Sequence, residues 1–388
     1  MILLDKPYVS EYLKGRIAMH NIPVLDTPEA RAALGASPNL MPAERFSAMA
    51  REAEAPRLYA NSENAIGWIA RHLADTGLPD RIDRFKNKVR FRQLLQPMYP
   101  DYGFAAVAFD ELDEVDPSFY GKPFIIKPAV GFFSLGVHKV ESDEQWPQTV
   151  AAIRDEVDSI RSQYPEQVLA VDTFIIEENI PGDEYAVDVY WDEAGQPVIL
   201  NILYHMFPDE NHLNDRVYVT SPDIVREHLA GFTELMDSIG RLAGLKNFPS
   251  HIELRLDADG RVGLIEANPM RFAGWCVADL TWHAWGIDPY SMYLCGERPD
   301  WDALIAQREG TVTSVVIADI SSDVATSDIA AVDYDAFTRH FTEPLELRRI
   351  DWTEYPVFAF MFARHTKDNL SELDSILRSD LKEYLRMK

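Results

Sequence analysis

The segment HIELRLDADGRVGLIEANP, residues 251–269, predicts two antiparallel strands, because two extended runs flank the turn sequence DADG. Side chains alternate between the two faces of a strand, so Glu266 and Asn268 share one face. A two-residue turn sets Glu253 directly opposite Glu266, whereas a four-residue loop sets the two carboxylates diagonally on that face. In both registers, three polar side chains lie together on a hairpin that otherwise has an ordinary strand pattern.

Two neighbouring carboxylates repel each other unless a cation or a shared proton lies between them. Carboxylate and amide oxygens suit Mg²⁺ or Mn²⁺, particularly when phosphate oxygens complete the coordination. The hairpin therefore predicts a metal site formed by Glu253, Glu266 and Asn268. A solvent-facing hairpin with an acidic face is the alternative, and spacing alone does not separate the two.

Composition limits the classes of partner. The chain has 388 residues, 47% of them hydrophobic, and a formal net charge of −26. This charge argues against nucleic acid or an anionic membrane as a partner, because both would repel it. The cysteines, Cys276 and Cys295, cannot form a disulfide framework, and no apolar run is long enough to span a membrane. We therefore expect a cytoplasmic globular protein that binds neither nucleic acid nor membrane.

The order of predicted elements indicates a mixed α+β or α/β chain rather than a doubly wound sheet, because hairpins are frequent. Residues 1–85 mix helical segments with short strands and predict an N-terminal α/β region. Residues 86–295 alternate strands and turns with a long amphipathic helix, and form the predicted central domain. Residues 296–388 predict a small C-terminal α+β subdomain of three strands followed by one amphipathic helix over the tail DNLSELDSILRSDLKEYLRMK.

Lys127 lies at the end of the nearly all-apolar strand in PFIIKPAVGFFSLGV, where an amine is costly without an anion. Gly131 and Gly136 bracket the loop that follows, which also contains Ser134. The backbone N–H groups and the hydroxyl of such a loop can contact phosphate oxygens. The segment matches neither the P-loop pattern nor the Rossmann fingerprint, and an ordinary hairpin turn is the alternative.

The segment FIIEENIPGDEY places further acids in an unusual position. Glu177 and Glu178 end an apolar strand, and Glu184 follows a PGD turn. The backbone of a linker between two subdomains can hydrogen-bond adenine, while a carboxylate can bind ribose hydroxyls. An exposed turn with solvated acids is the alternative.

Four motifs occur together in this chain: Lys88 at the start of a predicted helix, the Lys127 strand and loop, the EENIPGDE linker and the acidic hairpin. In this order and at these spacings they resemble the ATP-grasp superfamily, best known from D-alanine–D-alanine ligases, biotin carboxylase and L-amino-acid ligases. The resemblance covers roughly residues 86–275. It implies an ATP-grasp fold, in which two α+β subdomains clamp ATP together with two Mg²⁺ or Mn²⁺ ions.

The resemblance also implies residue roles. Lys88 would contact the α-phosphate and Lys127 the α- and β-phosphates, with Ser134 closing over the β-phosphate. The remaining matches are Glu177 and the backbones of Glu178 and Ile180 for adenine, Glu184 for ribose, and Glu253, Glu266 and Asn268 for the metals, with Glu266 bridging both ions.

Two positions depart from the family pattern. Many relatives have Asn-Pro-Arg where this chain has Asn-Pro-Met-Arg, so Arg271 is the candidate for the substrate carboxylate or acyl phosphate, with a structural salt bridge as the alternative. The loop NILYHMFPDENHLNDRVYVTSP lacks the lysine that some relatives place over the γ-phosphate. Arg216 or His212 would substitute for it, although an ordinary surface arginine is the alternative for Arg216.

The resemblance implies an ATP-dependent ligase that activates a small carboxylic acid as an acyl phosphate. An amine, or a thiol, then attacks, and ADP and phosphate are released. A small-molecule phosphotransferase and a non-catalytic ATP-binding protein remain as alternatives. The apolar face of the predicted C-terminal helix is compatible with a homodimer contact or with a wall of the substrate pocket.

Overall fold

The computed structural model describes residues 1–131, 136–160, 170–208, 215–321 and 323–388. Within these ranges the strands form four sheets. The strands are β1 (Ile2–Leu3), β2 (Val24–Leu25), β3 (Leu40–Met41), β4 (Tyr59–Ala60), β5 (Phe104–Ala108), β6 (Phe124–Val130), β7 (His138–Val140), β8 (Ala170–Glu178), β9 (Asp183–Trp191), β10 (Pro197–Met206), β11 (Val217–Thr220), β12 (Phe248–Leu256), β13 (Val262–Pro269), β14 (Val312–Asp319), β15 (Ile329–Val332), β16 (Pro344–Arg349), β17 (Val357–His365) and β18 (Leu385–Met387).

Helices cover these sheets and connect their strands. The α-helices are α1 (Glu11–Met19), α2 (Pro28–Leu34), α3 (Ala43–Arg51), α4 (Ile66–His72), α5 (Leu78–Lys86), α6 (Lys88–Leu95), α7 (Trp146–Ile160), α8 (Pro222–Ala243), α9 (Leu280–Trp285), α10 (Pro289–Cys295), α11 (Trp301–Gln307), α12 (Tyr334–Arg339) and α13 (Ser371–Arg378). Short 3-10 helices span Glu63–Ala65, Phe109–Glu114, Pro117–Phe119, Asp143–Gln145, Val277–Asp279, Thr326–Asp328 and Lys382–Tyr384. Across the described ranges, every helix is too short or too polar to cross a membrane.

The N-terminal region contains a parallel sheet in the order β3-β2-β1-β4. Its helices lie between successive strands, which is the arrangement that parallel pairing requires. Ser10 caps α1 by accepting a hydrogen bond from the N–H of Leu13. The predicted α/β character of this region is confirmed.

A four-stranded antiparallel sheet, in the order β5-β8-β6-β7, forms the first wall of the central region. One side of α7 packs on it, with Ile153 and Val157 buried against Phe124 and Phe174. This sheet carries Lys127 on β6.

An eight-stranded antiparallel sheet, in the order β13-β12-β9-β10-β11-β14-β17-β16, forms the opposite wall. The apolar side of α8 covers one face, where Phe232 and Met236 pack in the same core as Trp191. The Trp191 Nε1–H donates to the Met236 carbonyl at 2.8 Å, and a Cβ on Gly240 would lie 2.1 Å from Nε1. Close approach of α8 to the sheet therefore requires glycine at residue 240.

The C-terminal strands β14, β16 and β17 continue this large sheet. The division of the chain at residues 85 and 295 stays a prediction, since one sheet draws strands from both sides of residue 295. The prediction of a single tail helix is wrong beyond Arg378, where α13 ends. Leu381 adopts a left-handed conformation with φ 60°, and the residues that follow pair as β18 with β15. Strand pairing therefore overrides the local amphipathic pattern.

Candidate active site

In the acidic hairpin Glu253 lies directly opposite Glu266, which is the pairing that a two-residue turn predicts. The turn itself, however, is not a two-residue turn. Near the turn Leu256 pairs with Val262, so the loop is longer than two residues. A β-bulge then inserts Ile265 as an extra residue and shifts the register by one. The bulge thus restores the pairing of the two carboxylates.

The bulge also leaves the carbonyl of Ile265 available to side chains. This oxygen accepts a hydrogen bond from Arg92 Nη2 at 3.0 Å and lies 3.5 Å from Lys127 Nζ. Arg92 belongs to α6 and Lys127 to the four-stranded sheet. The bulged strand therefore joins the two walls of the cleft.

The three predicted metal ligands lie together. Asn268 Nδ2 is 3.3 Å from Glu253 Oε1 and 3.2 Å from Glu266 Oε1, and Lys88 Nζ is 2.8 Å from Glu266 Oε2. The amide donor thus occupies a position between two acids that would suit a cation. Rotation of the amide by 180° would present Oδ1 instead, and these two orientations differ only in hydrogen bonding. Within the described ranges, no three His, Cys, Asp or Glu side chains converge on one point, so the amide is needed to complete a ligand set.

The two glutamates have opposite pKa shifts. Burial, and then the neighbouring charge of Glu266, raise the pKa of Glu253 well above its ordinary value. Burial also opposes ionisation of Glu266, but Lys88 and the other nearby lysines outweigh it and lower its pKa. A divalent cation would stabilise both carboxylates in the charged form. The donor set therefore fits the metal that the resemblance implies.

Lys127, one of the predicted phosphate-contacting residues, pairs with a second buried carboxylate, that of Glu177. Glu177 accepts from Lys127 Nζ at 2.7 Å and from Arg92 Nε at 2.7 Å, and it is 3% exposed. Burial works against the charge of Glu177, but Lys127 and Arg92 lower its pKa to about 2. The side chain of Glu177 is thus a counter-ion for two cations. Arg92 was missed in the sequence, although its i,i+4 spacing from Lys88 on one helix face was a usable signal.

The predicted adenine and ribose groups lie along the linker between β8 and β9. The Glu178 N–H donates to the Gly103 carbonyl at 3.1 Å, and the Glu178 carbonyl accepts from the Tyr102 hydroxyl at 3.0 Å. Arg255 donates to the Ile180 carbonyl at 3.0 Å. These contacts fix the path of the linker between β8 and β9.

The predicted ribose ligand, Glu184, lies on β9 just after the linker. Its carboxylate accepts from His205 Nδ1 at 2.8 Å and from Arg255 Nε at 3.0 Å. Burial opposes its ionisation, but the His205 hydrogen bond and Arg255 lower its pKa. Arg255 thus ties the predicted ribose carboxylate to the predicted adenine hinge.

Known proteins resemble this chain both in sequence profile and in fold. The sequence profile of the ATP-grasp domain matches residues 120–279, which include the linker and the acidic hairpin. The chain contains an ATP-grasp domain. A search among proteins of curated function gives no significant sequence match.

Solved structures share the fold over essentially the whole chain. An L-amino acid ligase from Bacillus licheniformis has a TM-score of 0.68 at 17% identity, covering 100% of this chain and 98% of that one. A biotin carboxylase from Campylobacter jejuni has a TM-score of 0.63 at 12% identity, covering 100% and 91%. An N5-carboxyaminoimidazole ribonucleotide synthetase from Thermotoga maritima has a TM-score of 0.62 at 12% identity, covering 99% and 98%. These similarities establish the ATP-grasp fold.

The residue inserted before Arg271 has a defined place in the ATP-grasp domain. Met270 adopts φ 67°, donates its N–H to the Pro249 carbonyl and accepts from the Ala60 N–H, each at 2.8 Å. These two contacts hold the left-handed conformation despite its steric cost. Arg271 comes directly after this rigidly held turn, and the turn therefore sets the direction of its side chain.

Arg271 is paired with a carboxylate that the sequence did not single out. Its Nη2 is 2.6 Å and its Nε 3.0 Å from Glu63 Oε1, and Glu63 also pairs with Lys86. Glu63 is 7% exposed, and although burial opposes its charge, Lys86 and Arg271 lower its pKa to about 2. Lys86 and Lys88 are 3.5 and 3.4 Å from the carbonyl of Gly131, at the start of the glycine loop. Arg271 therefore lies in the same cation-rich cluster as the predicted phosphate ligands.

Arg216 is not directed at this cluster. Its Nε is 2.8 Å from Asp319 Oδ1, and its Nη1 donates to the carbonyls of Ile376, at 3.2 Å, and Ser379. These contacts tie the residue before β11 to the end of the C-terminal helix α13, away from the cluster, and the role of Arg216 in place of the lid lysine stays a prediction. The other two predicted residues, Ser134 and His212, lie outside the described residues.

Proposed function

We propose that this protein is an ATP-dependent, ADP-forming ligase that activates a small carboxylic acid as an acyl phosphate and joins it to an amine. The observation that carries the proposal is that Arg271 and Glu266 belong to one buried charge cluster. They are joined through Glu63, Lys86, the Gly131 carbonyl and Lys88. A cation suited to a substrate carboxylate thus lies beside ligands suited to metal-bound phosphate. Transfer to a hydroxyl would leave no substrate carboxylate for that guanidinium to bind.

Glu253, Glu266 and Asn268 would hold Mg²⁺ or Mn²⁺, as two ions with Glu266 shared. When bound, the metal would offset negative charge on the phosphate oxygens of ATP. Lys88 and Lys127 would exchange their present carboxylate partners in part for phosphate oxygens. Since both amines are buried, these electrostatic contacts would be stronger than at a solvated surface.

Arg271 would bind the carboxylate of the acid and direct one of its oxygens at the γ-phosphorus. Transfer forms the acyl–oxygen–phosphorus bond and breaks the bond to ADP. The amine then attacks the acyl carbon, loses a proton, and phosphate leaves. Glu63 would keep Arg271 in place throughout, because it holds the guanidinium through two of its nitrogens.

The activities for which the structural neighbours are named support this choice of reaction. One is an amino acid ligase and another a synthetase. A carboxylase domain from Hydrogenobacter thermophilus with the same fold was solved with MgADP, which supports ATP and a divalent metal as ligands. We further propose small-molecule acids and amines as the substrates and the cytoplasm as the location.

The test is ADP release with Mg²⁺ across pooled amino acids and small carboxylic acids, repeated with hydroxylamine. We expect stimulated ADP release and formation of a hydroxamate, because hydroxylamine traps an acyl phosphate. Splitting the active pool then identifies the acid. ADP release without hydroxamate would reject the ligase in favour of a phosphotransferase, and ATP binding without ADP release in any pool would reject both.

A further inference from the structure

His251 and Asp188 form a buried pair at the inner edge of the candidate metal site. His251 Nδ1 lies 2.8 Å from Asp188 Oδ1, and this oxygen also accepts the Ala273 N–H at 2.9 Å. Asp188 is completely buried on β9, beside His251 on β12. The imidazole is therefore fixed in orientation by a carboxylate and a strand ladder.

This pairing sets the tautomer of the ring. A carboxylate only accepts hydrogen bonds, so the neutral imidazole carries its proton on Nδ1 and has a lone pair on Nε2. Nε2 lies 3.6 Å from Glu253 Oε1. Two acceptor atoms thus face each other across a gap that a cation would fill.

The strand register supplies the rest of the arrangement. His251 lies opposite Asn268, and Glu253 lies opposite Glu266, so the four side chains form the corners of one patch on one face. A metal about 2.1 Å from a nitrogen and an oxygen holds them roughly 3.0 to 3.4 Å apart at angles between octahedral and tetrahedral values. The observed separation is only slightly longer.

We propose that His251 Nε2 is a nitrogen ligand of one of the divalent cations held by Glu253, Glu266 and Asn268, and that Asp188 is its positioning residue. Histidine held by a carboxylate is a recurrent arrangement around protein-bound metals. One imidazole among oxygen ligands favours Mn²⁺ over Mg²⁺, since Mg²⁺ strongly prefers oxygen. This inference rests on the proposed function and specifies the metal of the same site.

The experiment is pulsed electron paramagnetic resonance of the full-length protein with Mn²⁺ and ADP, using protein labelled with ¹⁵N only at histidine. Histidine labelling separates an imidazole ligand from nitrogens of the nucleotide. We expect ¹⁵N coupling to bound Mn²⁺ in the wild type and its loss in His251→Asn. Mn²⁺ affinity should fall about 10-fold in that variant, with a smaller change for Mg²⁺.

Two further variants separate coordination from folding. Asp188→Asn should keep the ¹⁵N coupling but weaken Mn²⁺ binding, because the ring remains while its positioning partner is altered. His365→Asn removes another fully buried histidine, on β17, and should change neither readout. Thermal unfolding of each variant shows whether the fold is retained.

Mn²⁺ bound without histidine coupling would overturn the nitrogen ligand while leaving the proposed ligase intact. A wild-type protein that binds neither Mn²⁺ nor Mg²⁺ with ADP would overturn this inference and the proposed function together.

Discussion

Two clusters of buried charge lie on the same eight-stranded sheet, and they differ in how their charge is balanced. In the acidic hairpin at one edge, Glu253 has another acid as its nearest charged neighbour across the ladder. Near the opposite edge, Arg348 on β16 pairs with Asp279 at 2.6 Å and with Glu346 at 2.6 Å. Both arrangements remove charge from water, but in the first Lys88 pairs with Glu266 and leaves Glu253 facing a like charge, whereas in the second Arg348 pairs with both carboxylates.

The pKa shifts of Glu253 and Glu346 express this difference. Burial and a like charge raise the pKa of Glu253. Burial also disfavours the charge of Glu346, yet hydrogen bonds from His283 and Arg348 lower its pKa to about 2. A carboxyl group such as Glu253, held beside a like charge in the predicted metal site, indicates a place for a cation, whereas Glu346 already has two hydrogen-bond donors. We therefore expect substitutions in the two clusters to alter different properties.

The largest expected effect is that of Glu266→Gln on turnover. ADP release should fall by roughly 1,000-fold, about 4 kcal/mol of transition-state stabilisation, because the carboxylate proposed to bind both metal ions loses its charge. ATP should still bind, which equilibrium dialysis measures. The matched control is Glu346→Gln in the other cluster, which should leave ADP release near the wild-type rate. Equal losses in both variants would remove the distinction between the clusters.

Next in size is the effect of Arg348→Met on folding. The free energy of unfolding should fall by about 3 kcal/mol, because Asp279 is left completely buried without its cation. Urea denaturation measures this change. Adding Asp279→Asn should restore part of the loss, since the buried charge is removed. A single variant as stable as the wild type would contradict the structural role of this cluster.

Lys127→Ala should have an intermediate effect on nucleotide binding. ATP affinity should fall about 10- to 100-fold, since one charged contact to phosphate is removed and Glu177 loses one of its two cations. Isothermal titration calorimetry measures the affinity. Lys382→Ala removes an exposed surface lysine and is the control, with no expected change. Unchanged ATP affinity in Lys127→Ala would exclude Lys127 from the phosphate site.

The smallest expected effect is the pH dependence contributed by Glu346. Its pKa is lowered from 4.5 to about 2 in the folded protein, so its stabilising contribution is complete above pH 4.5 and is lost as the pH falls towards 2. Glu346→Gln should therefore be less stable than the wild type by about 1 kcal/mol at pH 7, allowing for solvent screening. Urea unfolding between pH 7 and 3 should show this difference shrinking below pH 4.5. A difference that grows on acidification would refute the assigned pairing.

The helical and strand periodicities predicted local features well. The alternation in residues 251–269 placed Glu266 and Asn268 on one face, as the structure has them. The same reasoning failed at the tail, where β18 depends on a partner strand more than 50 residues earlier. The spacing of apolar residues within one segment contains no information about which distant strand that segment will pair with.

The sequence by itself determined the order of the motifs, the side-chain faces of the hairpin and the ATP-grasp resemblance, because these depend on neighbours within a few residues. Only the tertiary structure decided the partners of the buried charges. Glu63 meets Arg271 across 208 residues, and Arg216 meets the end of α13 across 160. Such contacts arise when separate elements pack and buried charges must find counter-charges, and no local pattern specifies which partner each will meet.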